Sequence, residues 1–398
     1  MRTEAFIVDA VRTPVGKYGG VLRDIRPDDL GAIPLRALIE RNKIPLEIIN
    51  DVLYGCANQS GEDNRNVARM CALLAGFPNS VPGTTINRLC GSSLDAINNA
   101  ARAIWSDDME VIIAGGVESM SRAPYSVPKN QYGSFGNVTA YDTALGWRYP
   151  NPRLEKLFPL ESMGETAENI AEKYTITREE QDEFAFQSHK KAVRAQEQNI
   201  FSNEIIPVET GNEKNKTLVD KDEGPRKDSS IEKLAQLKPV FRKNGTVTAG
   251  NSSTLNDGAA ALLIMNERMF KEHKLSPLAK IISTGVVGVD PRYMGIGPVP
   301  ATNLALKKAK LKISDIDLIE LNEAFAVQSL AVIRDLRLDK EKVNVNGGAI
   351  ALGHPLGCSG ARIMTTLVHE LVRRKGRYGL ATMCIGVGQG IATIVERV

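Results

Sequence analysis

The sequence predicts an α/β protein made of two similar β-α-β halves with a polar insertion between them. Three observations carry that prediction. Short apolar runs of strand type alternate with segments of helical period. The order of these elements is the same near both ends of the 398-residue chain, and the stretch between them is polar, charged and rich in proline.

Ala5, Phe6, Ile7 and Val8 open the first half as a strand, which runs into a glycine-rich turn at Gly16, Gly19 and Gly20. A helical segment at Leu35–Arg41 follows, then a strand at Asp51–Tyr54. Cys90 and Gly91 stand at the head of the next helix, which sets Leu94, Ile97, Ala101 and Ile104 on one side, a 3.6-residue pattern. Val111–Ala114 then forms a fully apolar strand ending in Gly115 and Gly116. Such a strand suits a sheet covered on both faces. The second half repeats the series with Lys280–Ile282, then Gly285, Gly288 and Gly295, then a helix at Leu304–Lys310. A strand at Asp317–Glu320 comes next, then Cys358 between Gly357 and Gly360, and a strand from Leu380 to Gly386. The helix after Cys358 spaces Ile363, Leu367 and Leu371 by four. Shared order and spacing mark an internal duplication, and alternating strands and helices predict parallel sheets covered by helices.

On this reading residues 1–120, completed by about 245–272, form the first half, and 273–398 form the second. Residues 121–244 are the insertion. It contains helices, with Thr177 and Glu180 spaced as a capping box, and a charged run from Glu209 to Lys233 that reads as a solvated loop. A polar insertion of this length is expected to cover a site or to hold a polar ligand.

Composition removes several classes of function. An apolar fraction of 42% supports a sizeable core, and a net charge of +3 gives no sign of a nucleic-acid partner. The five cysteines form no Cys-x-x-Cys pair and have no histidine at zinc-ligand spacing, so no metal site is expected. Free thiols point to a reducing compartment, the cytoplasm. The chain opens without a secretory core, holds no apolar run of about 18 residues that could span a membrane, and ends without a peroxisomal address. No Gly-x-Gly-x-x-Gly follows the first strand and no Walker loop is present, which disfavours a dehydrogenase or an ATPase.

The candidate chemistry lies in four places. Cys90 follows Asn87, Arg88 and Leu89 and precedes Gly91, Ser92 and Ser93 at a helix start. There, helix amides and dipole are expected to lower the thiol pKa and to hold an oxyanion. His354 is flanked by Gly353 and Pro355 in a glycine-rich stretch; it is a candidate base or oxyanion donor. The other histidines, His189, His273 and His369, sit in charged helical surroundings and read as solvated. Cys384 lies where a buried strand breaks into Gly386, at the end of the sheet where sites form. Asn322 follows the strand Leu318–Leu321 and is either an oxyanion helper or a helix cap. A cluster of small polar residues from Thr248 to Gly258 offers donors to a phosphate, amide or pantetheine chain.

These blocks, in this order, resemble the thiolases almost end to end: Asn87–Ser93 around Cys90, Asn322–Phe325, Gly353–Pro355 and Cys384–Gly386. The resemblance implies a five-layered α-β-α-β-α body with an inserted loop domain that binds coenzyme A. It implies that Cys90 attacks a 3-ketoacyl-CoA and becomes acylated, and that His354 activates it and shares an oxyanion hole with a water held on Asn322. Cys384 would exchange a proton with the enolate or the incoming CoA thiol, and the amides of Cys90 and Gly386 would form a second hole. Kinetics would be ping-pong. Arg226 would lie near the nucleotide, Ser253 near the pantetheine, and Met163 and Phe325 along its tunnel. No cofactor would be held permanently; coenzyme A and acetyl-CoA are substrates. Partners would be acyl-CoAs, not nucleic acid or membrane, and the assembly a homodimer or homotetramer.

Biosynthetic relatives carry histidine where this chain has Ser162 before Met163 and Gly164, which leans towards a degradative enzyme. The segment Asp142–Arg148 resembles the branch that handles 3-oxoadipyl-CoA in aromatic-acid breakdown, and Arg148 is a candidate partner for a distal carboxylate. A biosynthetic acetyl-CoA C-acetyltransferase is the alternative. A condensing ketoacyl synthase would carry histidine in place of Cys384, and a non-catalytic acyl-CoA-binding relative would not need Cys90, His354 and Cys384 together.

Overall fold

The computed structural model describes residues 3–129, 137–212 and 215–398. Parts of the predicted insertion, at 130–136 and 213–214, lie outside the described residues. Nine strands carry the fold: β1 (Phe6–Arg12), β2 (Asp51–Gly55), β3 (Gly83–Ile86), β4 (Val111–Ser119), β5 (Asn256–Met265), β6 (Ala279–Gly288), β7 (Leu318–Leu321), β8 (Tyr378–Ile385) and β9 (Gln389–Arg397). With the short strand Gly16–Lys17 against β5 they form a ten-stranded sheet in the order β7-β8-β9-β6-β1-β5-β4-β2-β3.

From the β1–β6 seam outwards the two halves match. In β1-β5-β4-β2 the first two pairings are antiparallel and the last is parallel. In β6-β9-β8-β7 the same is true. Even the parallel pairing of β2 with β3 has a counterpart, a parallel bridge between Ile319 and Val343. The duplication expected from the sequence is present. The all-parallel sheet is not: each half is mixed. The linker between β8 and β9 is only three residues long, and a parallel pair needs a long crossover. Gly285 and Gly288, read as a turn, lie inside β6.

The longer helices among the described residues are α1 (Pro27–Asn42), α2 (Val67–Leu74), α3 (Ser92–Trp105), α4 (Met163–Tyr174), α5 (Arg178–Glu197), α6 (Pro298–Ala309), α7 (Ala326–Leu336) and α8 (Leu356–Arg374), and all but α4 and α5 cover this sheet. The strands are apolar on both faces because both are buried. Along β5, Ala260, Leu262 and Ile264 enter one core while Ala261, Leu263 and Met265 enter another, the period of two that a strand dictates. The first core contains Leu94, Ile97 and Ile104 of α3 with Ile363, Leu367 and Leu371 of α8, held between the two halves. The second packs α1 and α2 on the outer face of the first half, through Leu35, Leu38 and Cys71. A third packs α6 and α7 on the outer face of the second, through Ala301, Ala305, Val332 and Leu336. The result is five layers. The middle one is tight: a Cβ on Gly360 would lie 2.3 Å from the Leu94 backbone nitrogen, closer than any side chain allows.

The region between the halves holds α4 and α5. Thr177 caps α5 as expected, with its hydroxyl accepting the Glu180 N–H at 3.3 Å and Glu180 accepting the Thr177 N–H at 2.9 Å. The charged run from Glu209 is not all loop: Val208–Asn212 pairs with Asn215–Val219 as a hairpin, and Ile231–Ala235 is a short helix. Among the described residues no helix is long and apolar enough to cross a membrane.

Candidate active site

Cys90 enters from the loop between β3 and α3. Leu89, just before it, has φ +47°, a left-handed conformation that a branched residue adopts only under constraint. The constraint is visible. Ser92 Oγ accepts the Arg88 N–H at 2.9 Å and donates to the Leu89 carbonyl at 2.6 Å, so the loop is tied to the first turn of α3. The Arg88 guanidinium is engaged by Asp95 at 2.9 Å and by Gln389 at 2.9 Å, which pins the loop to β9. The helix start is where the sequence placed it, but the expected low thiol pKa is not found. Burial pushes the Cys90 thiol up to about 11, and hydrogen bonds from the Gly386 amide and its own amide only partly offset this. Loss of hydration outweighs the helix terminus.

His354 is buried between α8 and β5. Gly353 before it has φ +109°, and a Cβ there would lie 2.5 Å from Asn256. Only glycine fits. Asn256 Oδ1 accepts the His354 N–H at 2.9 Å. The ring is oriented by Ser359, whose Oγ lies 2.6 Å from Nδ1 and donates its own proton to the Pro355 carbonyl at 2.8 Å. A hydroxyl has one proton, so Nδ1 must be the donor to Ser359. Nε2 is therefore the free base, with Asn322 Nδ2 at 3.4 Å. Burial, with a smaller contribution from Arg362, pulls the imidazole down to about 3. It is neutral at physiological pH, the form a base requires. Ser359→Ala removes the group that selects this tautomer; a fall in kcat of about tenfold to a hundredfold is expected, read by steady-state kinetics, with the fold retained.

Asn322 is fully buried and does not cap a helix, since α7 begins at Ala326 with Phe325 in the cap position. Its Oδ1 is a buried acceptor without a protein partner, which fits a site for a water or a substrate oxygen. Cys384 ends β8 buried among Met163, Ala324 and Phe325. Its thiol is pushed well up by burial, and further by the Cys90 sulfur. The hairpin after it, with Val387 at φ +62° and Gly388 at +78°, turns the Gly386 amide towards Cys90. A Cβ on Gly386 would lie 3.3 Å from Leu89 and 3.4 Å from Met163. The two thiols, Gly386, Met163 and Phe325 thus share one neighbourhood, and His354 and Asn322 are paired with each other.

Arg226 and Ser253 line a separate cleft of about 520 Å³ between α5 and the Thr248–Gly258 segment. Lys17, His189, Lys233 and Phe241 also line it. Met163 and Phe325 do not; they connect to it through Phe241, whose ring meets Phe325 edge-on at 6.3 Å and packs on Gly164. Basic side chains beside apolar ones such as Leu234, Val240 and Phe241 suit a ligand with a charged and an apolar part.

A family description of the thiolase N-terminal domain matches residues 5–268, and one of the thiolase C-terminal domain matches residues 275–397. The chain belongs to the thiolase family. It is similar to the 3-oxoadipyl-CoA/3-oxo-5,6-dehydrosuberyl-CoA thiolase of Escherichia coli (strain K12), with 56% identity over 399 residues, 99% of this chain and 100% of the relative. It is 55% identical to a beta-ketoadipyl-CoA thiolase of Acinetobacter baylyi, over 99% of each chain. The solved structure of the Bacillus anthracis acetyl-CoA acetyltransferase matches with a TM-score of 0.94 and 44% identity, covering 100% of this chain and 99% of that one. Membership of the thiolases makes the chain an acyltransferase.

Thiolase motifs alone did not reveal several residues around this site. Ser359 and Asn256 fix His354, and both lay in segments already notable for small polar residues. Glu118 was not singled out; a charge in an apolar strand was the one signal that could have found it. Three histidines were misjudged. His189 is buried, with Nδ1 accepting the Arg226 N–H at 3.3 Å and its pKa pulled down to about 4, by burial first and Arg226 second. His369 donates to the Ala10 carbonyl at 2.8 Å, and Nε2 of His273 is buried. Charged neighbours along a helix say little about the face on which a residue lies.

Proposed function

We propose that this chain is a degradative thiolase that cleaves 3-oxoadipyl-CoA with free CoA, giving acetyl-CoA and succinyl-CoA. The observation that carries this reading is the full-length similarity to enzymes named for that substrate. The half-buried Cys90 thiol and the buried His354 imidazole, both held neutral, suit the mechanism. His354 Nε2 takes the Cys90 proton as the sulfur attacks the C3 carbonyl. The amides of Cys90 and Gly386 serve the oxyanion that forms there. The C2–C3 bond breaks, leaving the acyl group on Cys90 and an acetyl-CoA enolate. His354, now protonated, and a water on Asn322 hold the enolate oxygen, while the Cys384 thiol protonates its carbon. The Cys384 thiolate then takes the proton of the incoming CoA thiol, which attacks the thioester; Cys90 leaves as the thiolate and recovers its proton from His354. A Cys384 thiol held protonated at rest is the acid that the first half-reaction needs.

In this proposal the 121–244 insertion binds CoA between the halves 1–120, completed by 245–272, and 273–398. Arg226 meets the nucleotide, Ser253 the pantetheine, and Met163 and Phe325 the sulfur end. The protein works in the cytoplasm as a homodimer or homotetramer, with no permanent cofactor and no nucleic-acid or membrane partner. Ser162, the residue that departs from biosynthetic relatives, caps α4 by accepting the Glu165 N–H at 3.3 Å.

Arg148 is proposed to take the distal carboxylate. It is half-buried and, among the described residues, makes no ion pair; its guanidinium donates to the Thr143 carbonyl at 3.0 Å. That carbonyl also accepts from Asn58 Nδ2 at 2.9 Å. A charge-assisted hydrogen bond contributes about 1.5–3 kcal/mol, so Arg148→Met should lower kcat/KM for 3-oxoadipyl-CoA by about 10- to 100-fold. It should leave 3-oxohexanoyl-CoA, which lacks the carboxylate, little changed. The same panel on the unaltered enzyme tests the substrate itself. A preference for acetoacetyl-CoA would overturn the degradative reading.

A further inference from the structure

Glu118 lies near the end of an apolar strand and is buried. Its Oε2 accepts the Ala57 N–H at 2.9 Å and the Gly357 N–H at 2.7 Å, and its Oε1 accepts the Asn58 N–H at 3.1 Å. These donors belong to two distant segments, and each leads to one half of the reacting pair. The Ala57 carbonyl accepts from Asn87 Nδ2 at 3.1 Å, and Asn87 Oδ1 accepts the Leu89 N–H at 3.0 Å, one residue before Cys90. Gly357 lies three residues after His354, in the first turn of α8. Its carbonyl is hemmed in from below: a Cβ on Gly116 would lie 2.1 Å from it, and one on Gly55 2.8 Å.

We propose that Glu118 is a positioning residue, a two-armed clamp that sets the Cys90 loop in register with the His354 loop. The inference rests on Cys90 being the nucleophile. A carboxylate suits the task because both its oxygens only accept, so it can hold three N–H groups converging from two directions. Glutamine cannot replace it. Its NH₂ cannot accept: in place of Oε2 it would lose both the Ala57 and the Gly357 N–H, and in place of Oε1 it would oppose the Asn58 N–H and push the 57–58 arm aside. The clamp carries an electrostatic disadvantage: its charge opposes ionisation of Cys90. Cys56, Asp63 and Cys358 are the other titratable groups facing it. Burial raises the Glu118 carboxyl to about 7, so at pH 8 most of it is charged.

Geometry and charge therefore act on Cys90 in opposite directions, and one variant separates them. Glu118→Gln should lower kcat about 100-fold, the scale of a misplaced reacting group, while the KM for CoA stays within about twofold. Alkylation of Cys90 by iodoacetamide at pH 8, followed by peptide mass, should become several-fold faster, because a small reagent reports thiolate and needs no register. A thiol that ionises more readily but turns over more slowly is the expected signature. Asn87→Ala cuts only the Cys90 arm. It should lower kcat without accelerating alkylation, and its exposed position keeps the test available if Glu118→Gln does not fold. A Glu118→Gln enzyme with kcat near that of the unaltered protein overturns the clamp. So does a loss of kcat with unchanged or slower alkylation, and so does an Asn87→Ala enzyme of full activity. Should iodoacetamide on the unaltered enzyme modify another cysteine, or acetyl-CoA fail to protect, the nucleophile assignment fails instead.

Discussion

Cys90→Ala should reduce thiolysis by about 10⁴-fold or more, the usual consequence of deleting a covalent nucleophile. The protein should remain folded, since alanine fits where a thiol fits and only the Gly386 N–H in the hairpin after β8 loses a partner. The decisive measurement is the mass of the enzyme after exposure to acetyl-CoA without free CoA. The unaltered protein should gain one acetyl group on Cys90, and the variant none. An acetylated variant would move the nucleophile elsewhere, with Cys384 the obvious candidate. The pH dependence sharpens the test. The Cys90 thiol is raised to about 11 and the His354 imidazole lowered to about 3. From about pH 5 to pH 9 both are therefore neutral, and neither titration should shape kcat/KM in that range. Iodoacetamide needs the thiolate itself, so its rate should climb about tenfold per pH unit over the same range. If thiolysis and alkylation rise together, attack proceeds from a preformed thiolate and His354 is not its base.

His354→Ala is expected to lower kcat by about 10³-fold or more, within reach of the contribution of a general base combined with an oxyanion donor. This variant also leaves the buried Asn322 amide without its imidazole partner and Ser359 with only its bond to the Pro355 carbonyl. A loss of about 1–3 kcal/mol in stability should accompany it, visible as a lower Tm. The two effects separate because Cys90 is untouched. Iodoacetamide should still label the variant, whereas acetylation by acetyl-CoA should be slow in a single turnover. Wild-type acetylation rates in this variant would remove His354 from the mechanism and leave the Ser359 and Asn322 contacts as structural ones only.

Much of this site was legible in the residues because its signals are local. Glycines that permit close approach, a histidine beside Pro355, and cysteines at the ends of recognisable elements are all patterns within about ten residues. The spacing of Leu94, Ile97 and Ile104 likewise stated which face of α3 would be buried. Other features could not be read in this way. The Cys90 pKa went in the opposite direction from the helix-start argument because desolvation depends on β8, β9 and α4, which come from distant parts of the chain. The His354 tautomer depends on a hydroxyl whose own proton is committed to Pro355. Glu118 gathers amides from positions 57, 58 and 357, a convergence that no window on the sequence contains.

The amino-acid order by itself determined the alternation of strands and helices, the duplication, and the choice of candidate reacting side chains. Each of these is set by local periodicity or by residue chemistry. The direction of the strands, the burial of the thiol and imidazole, and the register between their loops were decided only by the tertiary structure. These depend on hydration lost and hydrogen bonds gained between segments hundreds of residues apart.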